Sequence, residues 1–354
     1  MSPAAEPRPG LRDVAPYVSP QIDVEVRLNT NECPVPLPES FTRELADVVT
    51  ALPLNRYPDG QMTALREALA AHTGHPFEGI WVANGSNEIL TEMLLAYGGP
   101  GRCAATFEPT YLLHSRLCWL TKTEVVQIRL PPPFEIAAPA LDAAVKTHPD
   151  IVFVCSPNNP TGNPQPLAAI EELAARTTAA VIVDEAYIEF GGMSAQPLVD
   201  RHPNVVVVRT MSKAFALAGA RVGYCLTSPE VVKDLQRVRL PYHVSALAQA
   251  AGMIALRHAV EAESVLASIR DQRDRIASEL RSIAGVTVFP SEANFVLFTP
   301  PPDGKPPAQV WRELLDRGVL IRDLSAVVPE ALRVTAGTER EVDLFLSALK
   351  EVLS

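Results

Sequence analysis

The chain has 354 residues, of which 47% are hydrophobic and 20% charged, a balance typical of a folded globular protein. Its formal net charge of -10 argues against a nucleic-acid-binding protein, which needs a basic surface. The five cysteines are dispersed without a CxxC pair, and no apolar run reaches the length of about 18 residues that a membrane span needs. We therefore expect a cytoplasmic protein that acts on small molecules, with reduced thiols, no metal site and no membrane or nucleic-acid partner.

The predicted elements alternate between strands and helices from about residue 80 onward. The first forty residues (1–40) are rich in proline, and we expect them to pack on a small domain or on a partner subunit. Continuous apolar and β-branched runs, typical of parallel strands covered on both faces, predict strands at 80–83, 103–107, 151–155, 181–185 and 205–209. With helices at 87–96 and 167–176 between them, these runs predict a large wound α/β domain over 41–258.

The pattern changes after a long amphipathic helix predicted at 260–283. Strands and helices then alternate over shorter spans, which predicts a separate, smaller α/β domain over 259–354. Its predicted strands lie at 286–290, 295–298, 319–323 and 331–337, with one helix near 308–317 and another at the end.

Polar side chains follow the predicted strands at the point where each strand ends. Ser86 and Asn87 open a helix directly after a strand, where free backbone amides either bind a phosphate or serve as an ordinary helix cap. Asn159 lies in the turn SPNNPTG (156–162), at a carboxyl end of the kind where wound sheets bind ligands. Asp184 ends the strand at 181–185, and a buried carboxylate there needs a partner, which the nitrogen of a pyridinium ring would supply.

A second group of polar residues follows the strand at 205–209. Lys213 stands among small and apolar residues in RTMSKAF (209–215), a setting suited to a lowered pKa and to Schiff-base chemistry. Ser212 and Arg221 are candidates for a phosphate group, because the planar guanidinium matches its geometry. Tyr187 follows the strand end closely enough to place its hydroxyl near the same ligand. In this order along the chain, the residues predict a pyridoxal-phosphate (PLP) enzyme that moves amino groups.

At this point the sequence resembles the fold-type-I PLP-dependent aminotransferases of class I/II and, more narrowly, the histidinol-phosphate aminotransferase family. The resemblance covers nearly the whole chain. The matching stretches are LNTNE (28–32), NRYPD (55–59), PTY (109–111), RTMSKAFALAGARVGY (209–224), PYHV (241–244), SEANF (291–295) and LRVTAGT (332–338). Four residues depart from the commoner pattern: Asn87 replaces Asp, Cys33 replaces Asn, Met211 stands where Leu is usual, and His243 stands where many members carry Asn.

The resemblance implies a role for each matching residue. The implied catalytic residues are Lys213, which holds PLP as a Schiff base, Asp184 at the pyridine nitrogen, and Tyr187 at the ring oxygen. The implied cofactor-binding residues are Ser86, Asn87, Tyr111, Asn159, Asp184, Tyr187, Ser212, Lys213 and Arg221, together with Tyr57 from the neighbouring subunit of a homodimer. The implied substrate-binding residues are Arg333, Arg322, Tyr17 and Asn159.

The reaction implied by the resemblance is transamination between L-histidinol phosphate and 2-oxoglutarate, a step of histidine biosynthesis. Two other activities share nearly all of these motifs: aromatic amino-acid transamination, and decarboxylation of a phosphorylated amino acid such as threonine phosphate. A PLP-binding regulator without turnover is a fourth hypothesis. It is disfavoured because the sequence has no helix-turn-helix extension or basic patch.

Overall fold

The structure is a computed structural model that describes residues 5–16 and 20–354. Its strands are β1 (Val26–Arg27), β2 (Ile80–Ala83), β3 (Cys103–Glu108), β4 (Glu124–Arg129), β5 (Ile151–Cys155), β6 (Ala180–Asp184), β7 (Val205–Thr210), β8 (Gly223–Leu226), β9 (Thr287–Val288), β10 (Phe295–Thr299), β11 (Val319–Leu320), β12 (Arg322–Asp323) and β13 (Leu332–Thr335). Its α-helices are α1 (Glu39–Ala51), α2 (Thr63–Thr73), α3 (Ser86–Tyr97), α4 (Leu113–Thr121), α5 (Ala138–Lys146), α6 (Leu167–Arg176), α7 (Gln196–Val199), α8 (Pro229–Val238), α9 (Ala246–Arg257), α10 (Ala259–Arg281), α11 (Pro307–Asp316) and α12 (Glu339–Leu353). Short 3-10 helices lie at Leu11–Asp13, Phe77–Gly79 and Ile188–Phe190.

A large mixed sheet forms the centre of the molecule. In the described residues it has seven strands in the order β2-β8-β7-β6-β5-β3-β4. Strand β8 runs antiparallel to both of its neighbours, and the remaining pairs are parallel. Each parallel connection needs a crossover, which helices between the strands provide. The carboxyl ends of the parallel strands therefore share one edge of the sheet, the edge where wound sheets bind ligands.

The burial of each strand follows its position in the sheet. Every residue of β5 and β6 is buried, because helices cover both faces of these central strands. The edge strand β4 has the sequence EVVQIR, and its residues are half-buried or exposed. Strand β4 was not predicted, since its polar residues break the continuous apolar run that marks a central strand.

The C-terminal part of the chain forms a second, antiparallel sheet in the order β12-β13-β10-β9. The N-terminal segment joins this part through β1, which pairs in parallel with β11 so that Val26 lies opposite Val319. Arg273 on α10 links the two parts of the chain, because its Nη1 donates to the backbone oxygens of Phe190, in the 3-10 helix after β6, and of Ala293, just before β10, at 3.2 and 3.3 Å.

The predicted fold class is confirmed: a large wound sheet is joined to a smaller α/β unit. The predicted strand at 151–155 and helix at 167–176 coincide with β5 and α6. The single strand predicted at 319–323 is divided, because its first two residues pair with the N-terminal segment and its last two pair with β13. The domain limits drawn at residues 40 and 258 stay a prediction. In the described part of the chain, none of the helices combines the length and apolarity that crossing a membrane requires.

Candidate active site

A cleft of ≈ 240 Å³ opens at the carboxyl edge of the large sheet. The β2–α3, β5–α6 and β7–β8 turns line one side, and the N-terminal segment and the small sheet line the other. The predicted site residues that line the cleft are Ser86, Asn87, Tyr111, Asn159, Asp184, Tyr187, Ser212, Lys213, Arg221, Arg322 and Arg333. Residues far apart in the sequence thus meet because parallel strands end at a common edge.

One part of the cleft is built to hold an anion. Ser86 begins α3, so its end of the helix presents backbone N–H groups with a partial positive charge. The guanidinium of Arg221 lies beside these amides, and its Nη1 donates to Ser212 Oγ at 3.2 Å. A Cβ added to Gly85 would overlap that guanidinium, and one added to Gly223 would overlap the backbone of the β2–α3 turn. These glycines therefore allow the arginine, the hydroxyl and the helix end to converge.

Lys213 occupies the β7–β8 turn and projects its amine into the cleft. Its Nζ donates a 2.9 Å hydrogen bond to the backbone oxygen of Thr30. Burial and the neighbouring positive charges of Arg333 and Arg221, opposed by Glu32, lower the pKa of the Lys213 amine to about 8. Near neutral pH a far larger fraction of this amine is consequently neutral, and thus nucleophilic, than of an ordinary lysine.

Asp184 ends β6 and is only 2% exposed. Its Oδ1 accepts a hydrogen bond from the backbone N–H of Ala186 at 3.2 Å, and its Oδ2 lies 3.3 Å from His114 Nε2. The ring of His114 is itself buried and stacks on Phe153, with 4.7 Å between ring centroids. The imidazole thus holds the carboxylate in one orientation while the carboxylate still lines the cleft.

Tyr187 contributes a buried hydroxyl near the carboxylate. Asn31 Nδ2 donates to the Tyr187 oxygen at 2.9 Å, and Asn159 Nδ2 donates to it at 3.3 Å. Burial raises the pKa of Tyr187 to about 12, so the phenol keeps its proton near neutral pH and can donate it in a hydrogen bond.

Two arginines come from the small sheet. Arg333 on β13 donates from Nη1 to Asn159 Oδ1 at 2.5 Å and from Nη2 to the backbone oxygen of Asn29 at 3.0 Å. Arg322 on β12 lies opposite Arg333 in the antiparallel ladder. Two cations on adjacent strands give the cleft a second region that favours an anion, separate from the amides of α3.

One predicted residue, Tyr57, does not line the cleft in the part of the chain that the structure describes. Tyr57 is 80% exposed and stacks on Tyr242, with 4.4 Å between ring centroids. Tyr17 lies outside the described residues.

The structure adds functional candidates that the sequence interpretation did not assign. His114 contacts Asp184 from 70 positions away, and no local pattern around it indicates this contact. Thr30 and Asn31 belong to the LNTNE stretch (28–32), which resembles the family, but the resemblance implies no role for either residue. Their hydrogen bonds to Lys213 and Tyr187 bridge the N-terminal segment and the large sheet.

Comparisons with known proteins agree with this arrangement. Residues 23–349 match the family model described as aminotransferase class I and II. The histidinol-phosphate aminotransferase of Thermobifida fusca (strain YX) is 49% identical to the chain over 352 residues, which cover 97% of this chain and 94% of that protein.

Among solved structures, the histidinol-phosphate aminotransferase of Sinorhizobium meliloti in complex with pyridoxal-5'-phosphate superimposes with a TM-score of 0.89. It is 24% identical and covers 100% of this chain and 99% of its own. The L-threonine-O-3-phosphate decarboxylase of Porphyromonas gingivalis has a TM-score of 0.80 at 22% identity, covering 92% of this chain and 98% of its own. These two likenesses bear on the fold, while the family follows from the family model and the relative at 49% identity. The chain therefore belongs to the class I and II aminotransferase family, and within it to the histidinol-phosphate aminotransferases.

Proposed function

We propose that this chain is a PLP-dependent aminotransferase that exchanges an amino group between L-histidinol phosphate and 2-oxoglutarate in histidine biosynthesis. The observation that carries the proposal is the position of the Lys213 amine, which shares one cleft with the anion-binding start of α3 and with two arginines of the small sheet. The name of the T. fusca relative supports the choice of substrate.

The anion-binding part of the cleft fits the phosphate group of PLP. The backbone amides of Ser86 and Asn87, the hydroxyl of Ser212 and the guanidinium of Arg221 are the donors that a phosphate dianion requires. Gly85 leaves room for the guanidinium where a side chain would occupy the space.

The remaining residues fit the ring of the cofactor. Asp184, held by His114, would pair with the protonated ring nitrogen, which balances the burial of the carboxylate. Asn159 and the protonated hydroxyl of Tyr187 would bind the ring oxygen, and Tyr111 would stack on the ring face.

The chemistry supplied by bound PLP is an electron sink for the carbanion formed when the substrate loses its α-proton. Lys213 has two tasks, which are to hold the cofactor covalently and, once released, to carry the α-proton on its Nζ. The low pKa of this amine suits both tasks because a neutral Nζ can attack and can accept a proton. Thr30 positions the amine through the hydrogen bond from Nζ to its backbone oxygen.

The substrates are distinguished by the anions that they present to the small sheet. Glutamate brings carboxylates, whereas histidinol phosphate brings a phosphate and no carboxylate. We propose that Arg333 binds the substrate carboxylate and that Arg322, together with Tyr17, binds the substrate phosphate. Because Arg322 and Arg333 lie opposite each other on the neighbouring strands β12 and β13, their two guanidinium groups can bind overlapping parts of the substrate.

We also propose a homodimer in which Tyr57 reaches the cofactor phosphate of the neighbouring subunit. The outward stacking of Tyr57 on Tyr242, away from the cleft of its own chain, supports this role. The dimer would contain the large domain (41–258) and the small domain (259–354) of each subunit, with the N-terminal segment on the small domain.

The five free cysteines support a reducing, cytoplasmic location.

A single-turnover absorbance experiment on the PLP-loaded enzyme tests the substrate assignment. L-histidinol phosphate and L-phenylalanine are added separately at equal concentration while the band of the covalently held cofactor is followed. Rapid loss of the band with histidinol phosphate alone is expected. Faster conversion by phenylalanine would assign the protein to the aromatic aminotransferases, and carbon dioxide release from threonine phosphate would assign it to the decarboxylases.

Two variants test the residue roles in the same assay. Lys213→Ala should abolish covalent attachment of PLP and turnover, and full turnover in this variant would contradict the mechanism. Arg322→Gln should raise KM for histidinol phosphate by about 10- to 100-fold, the range expected for one lost charged hydrogen bond. The matched control is Arg312→Gln, which removes an exposed arginine of α11. An equal loss with phenylalanine would contradict the phosphate-binding role of Arg322.

A further inference from the structure

A cluster of three metal-ligating side chains lies outside the residues that line the cleft. Glu88 and Glu92 stand one helical turn apart on α3, and His243 belongs to the loop between α8 and α9. One ligand atom from each side chain lies within 4.8 Å of the other two. Neither the transamination chemistry nor the proposed cofactor site uses these three side chains.

The two buried ligand atoms of this cluster have unused hydrogen-bonding capacity. Glu92 is 3% exposed, and its Oε2 accepts a 2.7 Å hydrogen bond from Trp81 Nε1. Its other oxygen, Oε1, is buried and has no hydrogen-bond partner among the described residues. The same holds, within the described chain, for Nδ1 of His243.

The tautomer of His243 follows from its second nitrogen. His243 Nε2 lies 3.0 Å from the backbone oxygen of Val82, and a carbonyl oxygen can only accept a hydrogen bond. Nε2 therefore carries the proton in this contact, and Nδ1 is the nitrogen through which a metal would bind, beside the backbone of Leu240. A histidine that donates one N–H to a backbone carbonyl is in the arrangement commonly found when the other nitrogen binds a metal.

Both carboxylates are held in the same way. Glu88 Oε2 accepts a 2.6 Å hydrogen bond from the backbone N–H of Asn84, and Glu92 Oε2 accepts from Trp81. Trp81 also stacks on the ring of His243, with 5.5 Å between centroids. Each side chain of the cluster thus has one atom held by a neighbour.

We propose that Glu88, Glu92 and His243 form a binding site for one divalent transition-metal cation, with zinc as the preferred ion. One imidazole nitrogen and two carboxylate oxygens are ligands that zinc accepts, and water would complete a tetrahedral set. Zinc bonds of about 2.1 Å would bring the ligand atoms to roughly 3.4 Å from one another. The Glu88 side chain is partly exposed, so its carboxylate is free to move to this distance from the other ligand atoms.

The acidic side chains of the cluster would favour a dication once Glu92 has lost its proton. Two carboxylates face one nearby cation, Arg239, whose guanidinium lies 5.6 Å from the centroid of the Trp81 ring and donates to the backbone oxygen of Gly60. Burial raises the pKa of Glu92 to about 8, so the occupant that competes with the metal is a proton. A site that holds only this proton is the alternative that the experiment has to separate from a metal site.

Metal binding here would link two parts of the molecule. Helix α3 starts at Ser86 in the anion-binding end of the cleft, and the loop that carries His243 also carries Tyr242, which stacks on Tyr57. The cation would therefore act as a structural clamp between the β2–α3 turn and this loop.

The test uses the PLP-loaded enzyme, treated with a chelator, desalted and then titrated with zinc chloride in a buffer without amines. Calorimetry and metal analysis should give one zinc per chain, and crystals measured at the zinc edge should show an anomalous peak between the side chains of Glu88, Glu92 and His243. Excess magnesium should not displace the ion, because magnesium prefers a set of oxygen ligands. No retained zinc, or an anomalous peak elsewhere alone, would overturn the proposal.

Matched variants separate this site from zinc bound to PLP or to the surface. His243→Asn and Glu88→Gln should each weaken zinc binding by about tenfold or more, at least the loss seen when the hydrogen-bond partners of metal ligands are removed. His258→Asn is the control, since both nitrogens of His258 already contact carboxylates, at 2.9 and 3.1 Å. Zinc binding that survives both site variants, or that is lost in the control, would refute the assignment. Glu88 is partly exposed, so its variant keeps the test valid if the His243 variant fails to fold.

Discussion

Replacing Lys213 with methionine should stabilise the apoprotein below pH 8, because the folded state holds this amine in surroundings that disfavour its charge. The pKa of Lys213 is lowered from 10.5 to about 8 by burial and by Arg333. At about 1.4 kcal/mol per pKa unit, this difference corresponds to ~3 kcal/mol. The side chain is half-buried and its amine faces the open cleft, so solvent screening reduces the expected gain to about 1–3 kcal/mol.

The size of the effect changes with pH in a defined window. Below pH 8 Lys213 is protonated in both the folded and the unfolded protein, so its full cost to folding is present. Between about pH 8 and 10.5 the unfolded chain keeps the proton and the folded chain does not, and the wild type therefore gains stability relative to the variant as the pH rises. Above that window the amine is neutral in both states, and the cost has disappeared.

Urea unfolding of both apoproteins at several pH values measures this difference directly. Burial of the methionine side chain adds a constant offset, so the part that varies with pH is diagnostic. Lys233→Met, which changes an exposed lysine of α8, is the control and should show no such window. A difference between wild type and Lys213→Met that is the same at every pH, or a variant less stable than wild type at pH 7, would refute the reasoning.

Three further substitutions test the packing around the cleft. Gly85→Ala should weaken PLP binding at least about tenfold with little change in secondary structure, because its Cβ overlaps the Arg221 guanidinium; unchanged affinity by fluorescence titration would contradict this. Arg209→Met should lower the free energy of unfolding by about 3–5 kcal/mol, because the buried carboxylate of Glu185 loses the guanidinium that lies 3.0 Å away. A thermal melt should show that replacing both Arg209 and Glu185 recovers part of that loss. His114→Phe keeps the ring stacking on Phe153 but removes the contact to Asp184, and it should lower kcat by about tenfold with a smaller change in KM. An unchanged kcat would show that Asp184 does not need the support of His114.

The buried strands were predicted well because their signals are local. The run at 151–155 is apolar along its whole length, and only a strand covered on both faces accommodates it readily. Lys213, Asp184 and Asn159 each follow such a strand, and parallel strands bring their carboxyl ends together. By contrast β4 escaped prediction because an edge strand keeps polar residues, and the run at 319–323 divided because its two halves pair with different strands.

The fold class and five of the seven strands described for the large sheet follow from local sequence patterns, since periodicity and turn chemistry act over a few neighbouring positions. Only the tertiary structure decided that Thr30 accepts a hydrogen bond from Lys213, that His114 supports Asp184, and that His243 meets two glutamates of α3. These contacts join residues 183, 70 and more than 150 positions apart. Their partners are chosen by the packing of whole elements, which no local pattern encodes.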